Sequence, residues 1–262
     1  MNRNTIMTRK FKWQVSLVWL ALMIGFVWFI AKFNLDMSYV WAKLPFLAGL
    51  HLAPDGFIQG VPLTIYVCVL AMLASVVLGL LAALGRLSLN PLAYGISTFY
   101  TSFFRGTPLL LQVLLIYQGL PQLGPIPTAI PSGIIALALC YGAYLSEIFR
   151  SAIIAIPRGQ WEAAMALGLK KPQIFLKVIL PQSMKVAIPP SMAMFIAMLK
   201  DSSLVSVMGL WEIMFLAQSY GRSAYRYMEM LITAAVIYWI LSFLLELIQV
   251  RLEKIFHGGK TR

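Results

Sequence analysis

Asp201, Ser202 and Ser203 stand in a row at the end of an apolar run that is entered through Pro189-Pro190. A carboxylate there could hold an α-ammonium group or a basic side chain. The hydroxyls and any freed backbone groups could bind a carboxylate, as broken helices do in transporters. The same residues would equally serve as a solvated helix end, with Lys200 paired to Asp201. Arg105, in Arg105-Gly106-Thr107-Pro108, interrupts another apolar run. An ionised side chain at a bilayer centre costs about 2.5–3.5 kcal/mol. Arg105 therefore needs a water-lined path or a partner carboxylate, and reads either as a pathway residue or as half of a helix-packing pair. Glu147 and Arg150 are three apart, the spacing of a direct pair on one helix face. Glu229 and Glu246 lie in or beside the last apolar run and read as packing or interface residues.

Other chemistries find no support. Cys68 and Cys140 each lie inside an apolar run and read as small hydrophobes, not as a disulfide or metal pair. His51 and His257 lack the neighbours that a zinc site or a Ser-His-Asp triad needs, and no paired membrane aspartates appear. No GxxxxGK[ST] loop is present to cradle a nucleotide. The expectation is a chain that is not an enzyme and binds no metal or cofactor itself.

The elements that would position these residues are apolar. The chain has 262 residues, 60% hydrophobic and 11% charged, about half the charged fraction of a soluble domain. Six apolar runs are long enough to cross a hydrocarbon core of about 30 Å. They are Trp13 to Ala31, Val61 to Gly85, Pro91 to Leu120, Ser132 to Phe149, Met184 to Leu199 and Tyr227 to Val250. The first is too long for a signal peptide and lacks a cleavage site after Ala31. A kink is expected at Thr107-Pro108, a short interfacial helix around Trp41, and partial re-entry into the membrane within 200–227. Residues 32–59 form a mixed loop with Asp36, Lys43, His51 and Asp55.

The net charge of +12 is spread between the runs rather than in one stripe, which argues against nucleic acid and for membrane topology. Arg3, Arg9, Lys10 and Lys12, then Arg86, then six basic residues over 150–185, then Arg251, Lys254, Lys260 and Arg262 fall on one side of six crossings. Only Lys32, Lys43, Lys200, Arg222 and Arg226 fall on the other. The excess places both termini and the 150–185 loop in the cytoplasm.

That loop contains Glu162-Ala163-Ala164, three residues, Gly168, nine residues, then Val178-Ile179-Leu180-Pro181. Small side chains let a partner surface approach a helix closely. Gly168 can take the left-handed conformation that ends a helix, and Pro172 follows as helix stops often do. The expected result is a short helix lying parallel to the membrane.

This pattern resembles the EAA loop of the permease subunits of bacterial binding-protein-dependent ABC importers, EAA-x3-G-x9-I-x-LP, with Val178 in place of Ile. Four further segments resemble the polar amino-acid branch: Gly60-x3-Thr64-x14-Gly79; Phe104 to Leu109 with Gln112 and Tyr117; Ala143 to Arg150; and Pro189-Pro190 leading to Lys200 to Leu204. Ala193 stands where the family usually has Asn, and Lys-Asp-Ser-Ser where it has Lys-Asp-Thr-Ser.

The resemblance implies an all-α polytopic membrane protein of about six transmembrane helices, a five-helix permease core plus one N-terminal helix. Residues 1–56 would be a tail, extra helix and periplasmic loop, 57–250 the core with its coupling loop at 157–182, and 251–262 a basic cytoplasmic tail. Glu162, Ala163, Ala164, Gly168, Leu180 and Pro181 would couple to an ATP-binding subunit dimer that holds the ATP and magnesium. Asp201, Ser202, Ser203 and Arg105 are the substrate-pathway candidates. Further implied partners are a second permease chain, same or related, a periplasmic or lipid-anchored binding protein, and membrane lipid. The implied location is the inner membrane. The implied activity is import of polar amino acids, or derivatives such as opines, by alternating access. An ion-gradient-driven secondary transporter is the alternative.

Overall fold

A bilayer core offers backbone groups no water, so a chain this apolar is driven to bond them within helices. The computed structural model describes residues 9–54 and 56–257, and no strand occurs among them. The basic residues expected at Arg3, Lys260 and Arg262, and the loop residue Asp55, lie outside the described residues.

In chain order the helices are α1 (Arg9–Ala31), α2 (Met37–Leu47), α3 (Val61–Leu87), α4 (Pro91–Gly106), α5 (Leu109–Leu114), α6 (Ala129–Ile154), α7 (Arg158–Ala166), α8 (Lys171–Ile174), α9 (Leu180–Asp201), α10 (Ile213–Ser223) and α11 (Tyr227–His257). Five helical stretches are long and apolar enough to cross a membrane, and α4 with the helical stretch Leu109–Leu123, which α5 begins, makes a sixth if counted as one bent span. Five of the six expected crossings therefore have a matching helix, with several bounds moved, and the third run matches the bent pair.

The third run is not one kinked helix. Its two halves meet at 107°. Thr107 (φ −111°, ψ 145°) and Pro108 (φ −61°, ψ 135°) are both extended, because proline drives the residue before it out of the helical region. The corner is pinned by buried Gln112. Its Nε2 donates to Phe104 O (2.9 Å), Thr107 O (3.1 Å) and Thr107 Oγ1 (2.9 Å), satisfying acceptors that the broken helix leaves free.

The fourth run does not end at Phe149, since α6 continues to Ile154. The fifth does not begin at Met184. α8, a π turn over Phe175–Ile179 and α9 follow one another, and the span runs Lys171–Met208. A second π turn covers Leu115–Gly119. Each stands directly before a Leu-Pro pair, Leu120-Pro121 and Leu180-Pro181. A proline lacks an N–H and its ring presses on the carbonyl four residues back, and a wider turn relieves both.

The core is built around α3 and α6, which approach closely at two glycines. A Cβ on Gly79 would stand 2.8 Å from Leu145 Cβ, and one on Gly142 would stand 2.9 Å from Leu78 Cβ, so larger residues would force these helices apart. α2, the helix expected near Trp41, seats its fully buried Leu47 against Ile213, Leu216, Met230 and Ala234 of α10 and α11. α1 is the opposite case, since no residue in its apolar stretch is buried.

Candidate functional site

α7 is held by a small apolar cluster of its own. Ala164 packs with Ile153 at the end of α6, with Ile156 just after it, and with Ile174 and Ile179 in the following span, and Trp161, Leu169 and Val178 lie against them. Gln182 Nε2 donates to Gln160 Oε1 at 3.1 Å, a polar tie between α7 and α9. With Ala164 turned inward, Glu162, Ala163, Ala166, Leu167 and Gly168 are exposed. Leu180 is half-buried and Pro181 exposed at the start of α9.

The turn after α7 is a Schellman motif. Gly168 has φ +77°, its N–H bonds to Met165 O (2.9 Å), and the Leu169 N–H reaches Ala164 O (3.2 Å). This is the paired pattern that closes a helix on a left-handed residue. A Cβ on Gly168 would meet nothing within 4 Å, so the requirement for glycine is conformational.

Asp201 ends α9, and its Oδ2 accepts from the Tyr141 hydroxyl on α6 at 2.7 Å. Among the described residues it forms no ion pair with Lys200. The chain does not open here. It tightens into a 3-10 helix over Ser202–Met208, which ends at Gly209 with φ +76°. Ser202 is 1% exposed and donates to Leu199 O at 2.7 Å, while Ser203 is half-buried. The break in helical backbone expected beside Asp201 occurs instead at Thr107-Pro108.

Arg105 is one turn from that corner. It approaches Glu147 Oε2 at 3.7 Å and lies 5.5 Å from the Tyr144 ring centroid, within cation–π reach. Glu147 also pairs with Arg86 and, as its spacing implies, with Arg150. Tyr141, Tyr144 and Glu147 recur every three residues along α6, so one stripe of that helix links Asp201 to the arginines. The two tyrosine rings are 6.1 Å apart.

Residues 75–256 match the family described as binding-protein-dependent transport system inner membrane component. The chain belongs to this family. The permease is 40% identical over 197 residues to the L-cystine transport system permease protein TcyB of Bacillus subtilis strain 168, covering 74% of this chain and 84% of TcyB. It is 36% identical over 222 residues to the arginine transport system permease protein ArtQ of the same organism, covering 84% and 97%. The crystal structure of an amino acid ABC transporter with histidines aligns with a TM-score of 0.73 and 34% identity, over 83% of this permease and 97% of that chain. These relatives are permease subunits of ABC transporters, not enzymes and not ion-gradient-driven carriers, which sets the secondary-transporter alternative aside. The MetNI methionine ABC transporter, at 20% identity and a TM-score of 0.66, supports the fold alone.

Two features of the permease go beyond the sequence reading. Glu212 is 1% exposed and caps α10. It accepts from Met214 N–H (2.9 Å), Phe215 N–H (2.6 Å) and the Tyr238 hydroxyl (2.7 Å). Burial pushes its carboxyl up to about 7, against the pull of those three donors. Glu229, read as a packing residue, is 6% exposed and accepts from Asp36 N–H and Arg226, both at 3.3 Å. It ties the start of α2 to α11. Glu246 is exposed on α11.

Proposed function

We propose that this chain, with a second permease chain, forms the transmembrane pathway of an ABC importer for polar amino acids or their derivatives. Separate ATP-binding subunits would hold the ATP and magnesium. The observation that carries the reading is α7: a short helix, fixed by its own apolar cluster, that leaves Glu162, Ala163 and Gly168 exposed at one end of the long span Lys171–Met208. A partner seated on α7 would move that span as a rigid element, and alternating access needs such a movement. Leu180 and Pro181 would pass it into α9. The excess of basic residues around α7 supports placing it, with both termini, on the cytoplasmic side of the inner membrane. A periplasmic or lipid-anchored binding protein would deliver cargo at the opposite face. Asp201, with Ser203 nearby, is the candidate contact for an α-ammonium group, and Arg105 the candidate further along the path. Ser202 would take part only after leaving its bond to Leu199. Relatives named for L-cystine and arginine support amino-acid cargo.

The test is affinity purification of the tagged chain from its native membrane, beside Glu162→Arg and Ala163→Asp. An ATP-binding subunit should accompany the wild type and be lost from the variants, with membrane insertion unchanged. Absence of any ATPase from the wild type, under conditions that keep known ABC complexes whole, would overturn the proposal.

A further inference from the structure

Glu147 is one carboxylate facing three guanidiniums. Arg150 takes Oε1, Arg86 takes Oε2, and Arg105 reaches that same Oε2 only at 3.7 Å. Among the described residues no second acidic side chain pairs with these arginines. Two positive charges are left unmatched within or at the ends of membrane-spanning helices, where an arginine is costly unless its donors are satisfied.

Arg105 has the most capacity to spare. Its side chain is 41% exposed, against 19% for Arg86 and 29% for Arg150. It lines a cleft of about 470 Å³ with Arg86, Thr98, Thr101, Ser102 and Tyr144, and no acidic residue lines that cleft. Thr98 and Thr101 donate back to carbonyls of α4. The free donors facing the cleft are therefore the two guanidiniums, with the Ser102 and Tyr144 hydroxyls beside them. A guanidinium presents parallel N–H groups that match a carboxylate or a phosphate with two bonds at once.

We propose that this cleft between α3, α4 and α6 binds an oxyanion, held by Arg105 and Arg86. The oxyanion has two possible sources: the carboxylate of cargo in transit, which rests on the permease reading, and the phosphate of a membrane lipid, which does not. The Tyr141–Tyr144 stripe places the cleft next in line from Asp201, so cargo held first by its ammonium group at Asp201 would meet the arginines with its carboxylate.

The experiment uses the complete transporter, permease with its ATPase, in phosphatidylcholine nanodiscs. Cryo-electron microscopy is done with and without a mixture of the twenty amino acids, for wild type and Arg105→Gln. Density between Arg105, Arg86 and Tyr144 that requires the amino acids assigns the cargo carboxylate. Density present without them, continuous with an acyl chain, assigns the lipid phosphate. Either density should be lost in Arg105→Gln while the Arg86–Glu147 pair stays. An empty cleft in both wild-type samples, or density unchanged in Arg105→Gln, overturns the proposal. Retention of the ATPase in every sample separates failure of this site from failure of the permease reading.

Discussion

Tyr141 on α6 donates its hydroxyl to Asp201 on α9 at 2.7 Å, a contact between residues 60 apart in sequence. A phenol orients a carboxylate without neutralising it. Asp201 stays exposed and forms no ion pair among the described residues, in contrast to Glu147, which three arginines face. Asp201→Asn should lower amino-acid uptake by about tenfold or more, the worth of a charge-assisted hydrogen bond, while leaving assembly with the ATPase unchanged. Tyr141→Phe should raise KM with a smaller effect on the maximal rate. If uptake kinetics of Asp201→Asn match the wild type, Asp201 does not touch cargo.

Removing Glu147 leaves three guanidiniums facing one another. Glu147→Gln should destabilise the permease by about 1–2 kcal/mol, a charged hydrogen bond discounted for partial exposure. The double variant Glu147→Gln/Arg150→Gln should recover part of that loss. Equal melting temperatures for the wild type and Glu147→Gln would show that the cluster adds no stability.

Because a side chain at Gly168 has open space but a left-handed backbone, the penalty for substitution should follow backbone preference rather than size. Gly168→Val should cost about 1–2 kcal/mol locally and weaken ATPase co-purification. Gly168→Asn, which tolerates this conformation, should stay close to wild type. Equal effects from Val and Asn would place the requirement in the side chain's contacts with the partner.

Glu212 makes a pH prediction. Its carboxyl is raised in the folded chain from an ordinary 4.5 to about 7, so the folded state holds the proton more tightly than the unfolded one. The associated stability is full below the unfolded value and is lost as pH rises through the window up to about 7. The wild type should therefore melt at a higher temperature near pH 5 than near pH 8, and Glu212→Gln should narrow that difference. Identical pH profiles would remove Glu212 as the titrating group.

The sequence made some of this legible and hid the rest for identifiable reasons. The glycine turn after α7 could be read because Gly168 follows a helix-forming stretch and precedes Pro172. The Glu147–Arg150 pair was visible because a spacing of three is local. Thr107-Pro108 announced a break but not its 107° angle, which depends on Gln112 bonding back to Phe104 and Thr107. Arg86 joined Glu147 from 61 residues away, and no local pattern signals such a meeting. Glu212 looked like one polar residue in a mixed segment, and its burial depends on Tyr238 arriving from α11. The signal that could have been used was the three-residue recurrence of Tyr141, Tyr144 and Glu147 along α6.

The span from Lys171 to Met208 also sets a mechanical ratio. Thirty residues separate Lys171 from Asp201, about 45 Å at helical rise. A tilt of only about 5° at the α7 end would carry Asp201 sideways by roughly 4 Å over that length, more than the length of its bond to Tyr141. On the proposed mechanism the span would be a lever, and a short stroke at its α7 end would suffice to break a hydrogen bond near its far end.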